Sequence, residues 1–155
     1  MTASYFYTMR NLLQITIILF LIQSALITAN YKDEIKDFTI VKVRDGDTFI
    51  INIPNIPDVF GKEIAVRIRG IDTPELNDSR EEIRKISIQA KEELEKLLTS
   101  GDAYSGQKPK VILYNIGRDK YFRLLSSVKV DNVDVAEYMI KKGLAKSYNG
   151  GKKVW

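Results

Sequence analysis

The sequence predicts an α+β domain, mainly β, and three observations carry that expectation. Apolar runs of strand length recur at 38–43, 49–53, 63–69, 111–114 and 124–130, and in the third Ile64, Val66 and Ile68 alternate with Ala65, Arg67 and Arg69. That is the period-two pattern of a half-buried strand, with both arginines on the face opposite the core. Turn-forming pairs, Asp45-Gly46 and Asp131-Asn132, separate apolar runs as in tight hairpins. A single long stretch of helical periodicity, 79–98, spaces Ile83, Ile86, Ala90, Leu94 and Leu97 by three and four.

The elements follow in order. Runs 38–43 and 49–53 form a hairpin whose turn, Arg44-Asp45-Gly46-Asp47-Thr48, holds two carboxylates at a strand end. A proline-containing loop, 54–61, leads to strand 63–69. Gly70 then releases the chain, and Pro74 fixes its own φ while biasing Thr73 toward an extended conformation, so Asp72 and Glu75 sit in a defined turn. Ser79 and Glu82 offer a capping box for the long helix. After a polar loop at 99–108, strands 111–114 and 124–130 flank Gly117-Arg118-Asp119-Lys120-Tyr121-Phe122-Arg123, and a second helix at 135–142 is closed by Gly143. Trp155 is expected to cover that end of the core.

Residues 12–29 are almost uninterruptedly apolar, follow Arg10 and end in small residues, the pattern of a secretory signal peptide. At this length the run also suits an uncleaved membrane anchor. The domain reading is therefore 1–29 signal peptide or anchor, 30–37 linker, and 38–155 one globular domain. Either route places the domain outside the cytoplasm, secreted or periplasmic, with membrane contact confined to residues 12–29.

Histidine and cysteine are both absent, which argues against zinc, haem and thiolate chemistry and against the usual nucleophilic triads. Carboxylates from two separate turns suit a hard divalent cation, which takes oxygen ligands. Arginines beside them suit phosphate, because a planar guanidinium binds its oxygens bidentately. The net charge of +4 falls to +3 once residues 1–29 are removed with Arg10. That balance favours phosphate backbones without specifying them.

Asp-Gly-Asp-Thr, then Arg-x4-Asp-Thr-Pro-Glu, then Asp-Lys-Tyr-x-Arg, followed by Gly143-Leu144-Ala145, resembles the staphylococcal nuclease (thermonuclease) family over about Phe38 to Tyr148. The resemblance implies an OB-fold: a five-stranded Greek-key barrel with two packed helices. It implies a calcium-dependent nuclease that hydrolyses phosphodiester bonds of DNA and RNA, probed as single-stranded or frayed strands, leaving 3′-phosphates, in a monomer. Position by position, Asp47, Asp72 and Thr73, the last through its carbonyl, match the Ca2+ ligands. Glu75 matches the acid that orients or deprotonates the attacking water. Arg67 and Arg123 match the phosphate-holding arginines. Lys120 and Tyr121 match nucleotide contacts, and Tyr148 matches a tyrosine beside the nucleotide with a spacing one residue short. Two departures stand out: Phe122 replaces a common glycine, and the 54–61 loop is longer. A noncatalytic OB-fold nucleic-acid-binding module is the competing expectation.

Overall fold

The expected apolar runs all become strands. The computed structural model describes residues 13–20, 34–100, 108–153 and 155. In chain order the elements are α1 (residues 13–20), β1 (Glu34–Ile35), β2 (Thr39–Asp45), β3 (Thr48–Asn52), α2 (Asp58–Gly61), β4 (Ile64–Ile68), β5 (Ile71–Asp72), α3 (Glu81–Thr99), β6 (Val111–Arg118), β7 (Leu124–Val130), β8 (Val133–Asp134), α4 (Val135–Lys141) and β9 (Lys146–Ser147). The chain divides into two compact units, Met1–Lys32 and Asp33–Trp155. In the first, α1 is the described part, with Leu13, Ile17 and Phe20 exposed. The remainder of the expected signal or anchor lies outside the described residues, among which no helix is long and apolar enough to cross a membrane.

The second unit is built on a seven-stranded sheet in the order β1-β6-β7-β4-β3-β2, with β8 on β7, and on a separate ladder of β5 with β9. Pairing is antiparallel except between β4 and β7. The expected α+β class holds, with a mostly antiparallel sheet and no closed barrel among the described residues. The outer edge of β6 is taken by β1, from the segment read as a linker, through Glu34 opposite Tyr114 and Ile35 opposite Leu113. The folded unit therefore begins upstream of Phe38.

Both expected helices are present, and α2 adds a single turn within the 54–61 loop. The capping box is not formed: α3 starts at Glu81 with no side-chain cap, and Asp78 accepts the Arg80 N–H at 2.9 Å instead. The shorter helix follows its signals closely. Asp134 caps α4 by accepting the Glu137 N–H at 3.0 Å. At the other end Gly143, at φ 72°, donates to Ile140 while Leu144 donates to Met139, the paired bonds of a Schellman stop. Asp131 and Asn132, both at positive φ, make the predicted hairpin turn. Phe49, Ile51, Val66, Ile68, Leu113 and Val128 from the sheet meet Ala90 and Leu94 of α3 and Met139 of α4 in one core.

Candidate active site

The first wall of the site is the β2–β3 hairpin tip, pinned by a close approach that only glycine permits. A Cβ at Gly46 would stand 2.6 Å from the Cβ of Ala90 on α3 and 3.0 Å from the Thr73 side chain. With the tip seated there, Asp47 is buried, and its Oδ2 accepts from the Thr73 N–H at 3.0 Å and the Thr73 hydroxyl at 3.1 Å. Its Oδ1 accepts from the Thr48 hydroxyl at 3.0 Å. Two turns remote in sequence are thus joined through one carboxylate.

The second wall is β4 and the turn after it. Gly70, at φ 85°, turns the chain into β5, where Asp72 pairs with Lys146 of β9. Arg67 reaches between the two acids: Nη2 donates to Asp72 Oδ1 at 3.3 Å, and Nη1 forms an ion pair with Asp47 Oδ2. Arg67 is 9% exposed, so the arginine expected on an open strand face is instead a buried bridge. Arg69 has a different task, donating to the Asn115 and Leu125 carbonyls at 3.1 and 3.4 Å, where the β6–β7 register shifts.

Burial pushes the Asp47 carboxyl up to about 6 against the pull of Arg67. Burial also raises Asp72, opposed by Lys153 and Arg67. Desolvation of this pair thus outweighs the pull of the Arg67 guanidinium and the Lys153 ammonium. Asp72 Oδ2 and Arg67 Nη1 are both buried with no hydrogen-bond partner.

The third wall is the turn between β6 and β7. Asp119, to which sequence reasoning gave no role, organises it: Oδ1 accepts the N–H groups of Tyr121 and Arg123, both at 2.9 Å, and Oδ2 accepts Arg123 Nε at 2.7 Å. Burial acts to raise this carboxyl, but the Arg123 and Tyr121 bonds outweigh it and hold it below its ordinary range. The signal available in the sequence was the Asp-x-x-x-Arg spacing across a turn. Phe122 adopts φ 66°, so the position that commonly holds glycine does require a left-handed conformation.

The tail is a fourth contributor. Lys153 forms an ion pair with Glu75 and lies 3.9 Å from Asp72 Oδ1. Trp155, expected over the core, donates its indole N–H to the Asp72 carbonyl at 2.9 Å, with the Lys146 ammonium 4.1 Å from its ring centre. No sequence pattern links residue 155 to residue 72.

These walls enclose a cleft of about 870 Å³. All nine candidate residues line it: Asp47, Arg67, Asp72, Thr73, Glu75, Lys120, Tyr121, Arg123 and Tyr148. Tyr148 is held there by its N–H to the Gly70 carbonyl at 2.8 Å, despite its shortened spacing. The 54–61 loop contributes nothing to the lining.

The profile described as Staphylococcal nuclease homologue matches residues 65–153, more than half of the chain. The chain belongs to the staphylococcal nuclease family. Similar proteins include an uncharacterized 38.1 kDa protein of Capnoides sempervirens, 30% identical over 109 residues, covering 70% of this chain and 28% of that one. A probable staphylococcal-like nuclease, CAN1, of Oryza sativa subsp. japonica is 34% identical over 98 residues, covering 62% of this chain and 25% of the other. The chain thus matches only about a quarter of the length of these relatives. Membership of the staphylococcal nuclease family suggests a nuclease-like function for the cleft.

Proposed function

We propose that this staphylococcal nuclease domain is an exported, calcium-dependent nuclease that hydrolyses phosphodiester bonds of single-stranded or frayed DNA and RNA, leaving 3′-phosphates. The observation that carries the reading is the convergence of all nine candidate residues, from four separate parts of the chain, on one cleft. The middle strands run β2-β3-β4-β7-β6, with β4 and β7 parallel, and this order supports reading the sheet as an OB-type Greek-key scaffold.

No group of three or more acidic side chains able to hold a metal ion occurs among the described residues. Two buried carboxylates facing one cleft, one with a partnerless oxygen, nevertheless fit a hard cation that completes its shell with carbonyls and water. Asp47, Asp72 and the Thr73 carbonyl would hold it. Bound there, calcium supplies Lewis-acid polarisation of a phosphoryl oxygen.

The chain's own residues do the rest. Arg123 and Arg67, the latter turning from its bridge between Asp47 and Asp72, neutralise charge that grows on the phosphoryl oxygens as the transition state forms. Asp119 holds Arg123, which lines the cleft, through its Nε, a bond that does not use the Nη groups. Glu75, more than half exposed, orients the attacking water or accepts its proton. Lys120, Tyr121 and Tyr148 line the path of the strand. The deciding test is digestion of single-stranded DNA with calcium, with magnesium and with chelator. Cleavage in calcium that chelator abolishes is expected. Cleavage insensitive to chelator overturns the metal assignment, and binding without cleavage in calcium selects the noncatalytic module.

A further inference from the structure

Beside the cleft, one side chain is in excess of what the fold requires. Phe122 is a bulky residue held at φ 66°, a conformation that costs a side chain energy and that glycine adopts freely. Its ring repays none of that cost by burial, because the residue is 78% exposed. Nor does the turn need the ring. The Phe122 N–H donates to the Asp119 carbonyl at 3.0 Å, its carbonyl accepts from Arg118 Nη1 at 2.8 Å, and the Asp119 carboxylate ties down the residues on either side. A glycine would keep every one of those bonds.

The surroundings of the ring point to a ligand. The Arg118 guanidinium lies 5.4 Å from its centre. The neighbouring Tyr121 is 68% exposed and lines the cleft, with Lys120 and Arg123 at 5.0 and 5.5 Å from its ring. Phe122 is not itself part of the cleft lining, but it stands between Tyr121 and Arg123, which are. An exposed ring next in the chain to a cleft-lining aromatic, with a cation beside each ring, is the composition that binds unpaired nucleotides, bases on the rings and phosphates on the cations. A duplex buries both faces of its bases in its own stack, so such a ledge selects unpaired ones.

We propose that Phe122 is a stacking platform for a nucleobase adjoining the phosphate held in the cleft, and that it gives this chain a preference for unpaired strands. The inference rests on the nucleic-acid reading above. It is tested by gel-shift titration, in chelator, of a short single-stranded DNA and of the same strand carrying abasic sites, with the unmodified protein and with Phe122→Gly and Phe122→Trp. Stacking on one aromatic ring is worth about 1–3 kcal/mol, so Phe122→Gly should weaken binding of the intact strand about tenfold. It should leave the abasic strand unaffected, and Phe122→Trp should retain the affinity. Equal losses on both strands overturn the platform. Unchanged affinity of Phe122→Gly also overturns it and leaves the exposed ring to a protein partner. If the unmodified protein binds neither strand, the nucleic-acid reading itself fails, and the platform with it.

Discussion

Replacing Arg67 with alanine should cost stability as well as turnover, and the stability loss should depend on pH. The guanidinium is buried between Asp47 and Asp72, themselves buried. Removing one partner from a buried ion pair typically costs about 3–5 kcal/mol, because the remaining charge has lost its counterion without regaining water. Asp47 already ionises only near 6, against an ordinary 3.8, and Arg67 is what restrains it from rising further. A carboxyl whose folded pKa exceeds its unfolded one binds more protons when folded. Stability therefore falls as pH rises from about 4 through the folded pKa, and without Arg67 that fall continues to higher pH. The deficit of Arg67→Ala relative to the unmodified protein should be about 3 kcal/mol at about pH 8 in chelator, and it should shrink markedly by about pH 5. Urea denaturation at the two pH values measures it, and Arg67→Lys, which keeps the charge, should lose less. A deficit below about 1 kcal/mol, or one independent of pH, would refute the claim that these carboxylates are buried and rely on Arg67 as their counterion.

Four further outcomes follow from the same geometry. Glu75→Gln should lower turnover on single-stranded DNA by about 10²-fold or more with an unchanged urea midpoint, because the side chain is largely exposed; near-normal turnover would remove Glu75 from the chemistry. Lys153→Ala should strengthen apparent calcium binding by up to about fivefold in a calorimetric titration, since an ammonium no longer competes at Glu75 and Asp72; weaker binding would contradict this. Gly46→Ala should destabilise the fold by about 1–3 kcal/mol, as its methyl meets Ala90, and a neutral thermal midpoint would show that the hairpin tip yields. Phe122→Gly should raise stability by about 1 kcal/mol through relief of its positive φ, and a loss on thermal denaturation would mean that the ring is packed after all.

The strands and helices were legible because their signals are local. Ile64, Val66 and Ile68 announce β4 by alternation, and Asp131-Asn132 and Gly143 announce their turns by the positive φ each must adopt. The cleft residues were legible through motif order, which no single segment supplies. What the sequence hid depends on distant partners. Alternation places Arg67 off the core face but cannot say that Asp47 and Asp72 will close over it. Strand length does not reveal that Glu34 and Ile35 will occupy the edge of β6. The capping box expected at Ser79 did not form: α3 starts two residues later, at Glu81, and the Arg80 N–H is taken by Asp78. The tail was least legible of all, since Lys153 and Trp155 acquire their roles only after β9 has paired with β5 and carried them back to Asp72.

Trp155 is the single tryptophan of the chain, and its indole N–H is bonded to the main chain of a residue proposed to hold calcium. The molecule therefore carries a native optical reporter at its cleft. Intrinsic emission, free of any other indole, would follow cation loading, strand entry and local opening of the tail in separate titrations. No dye would need to be placed near the chemistry.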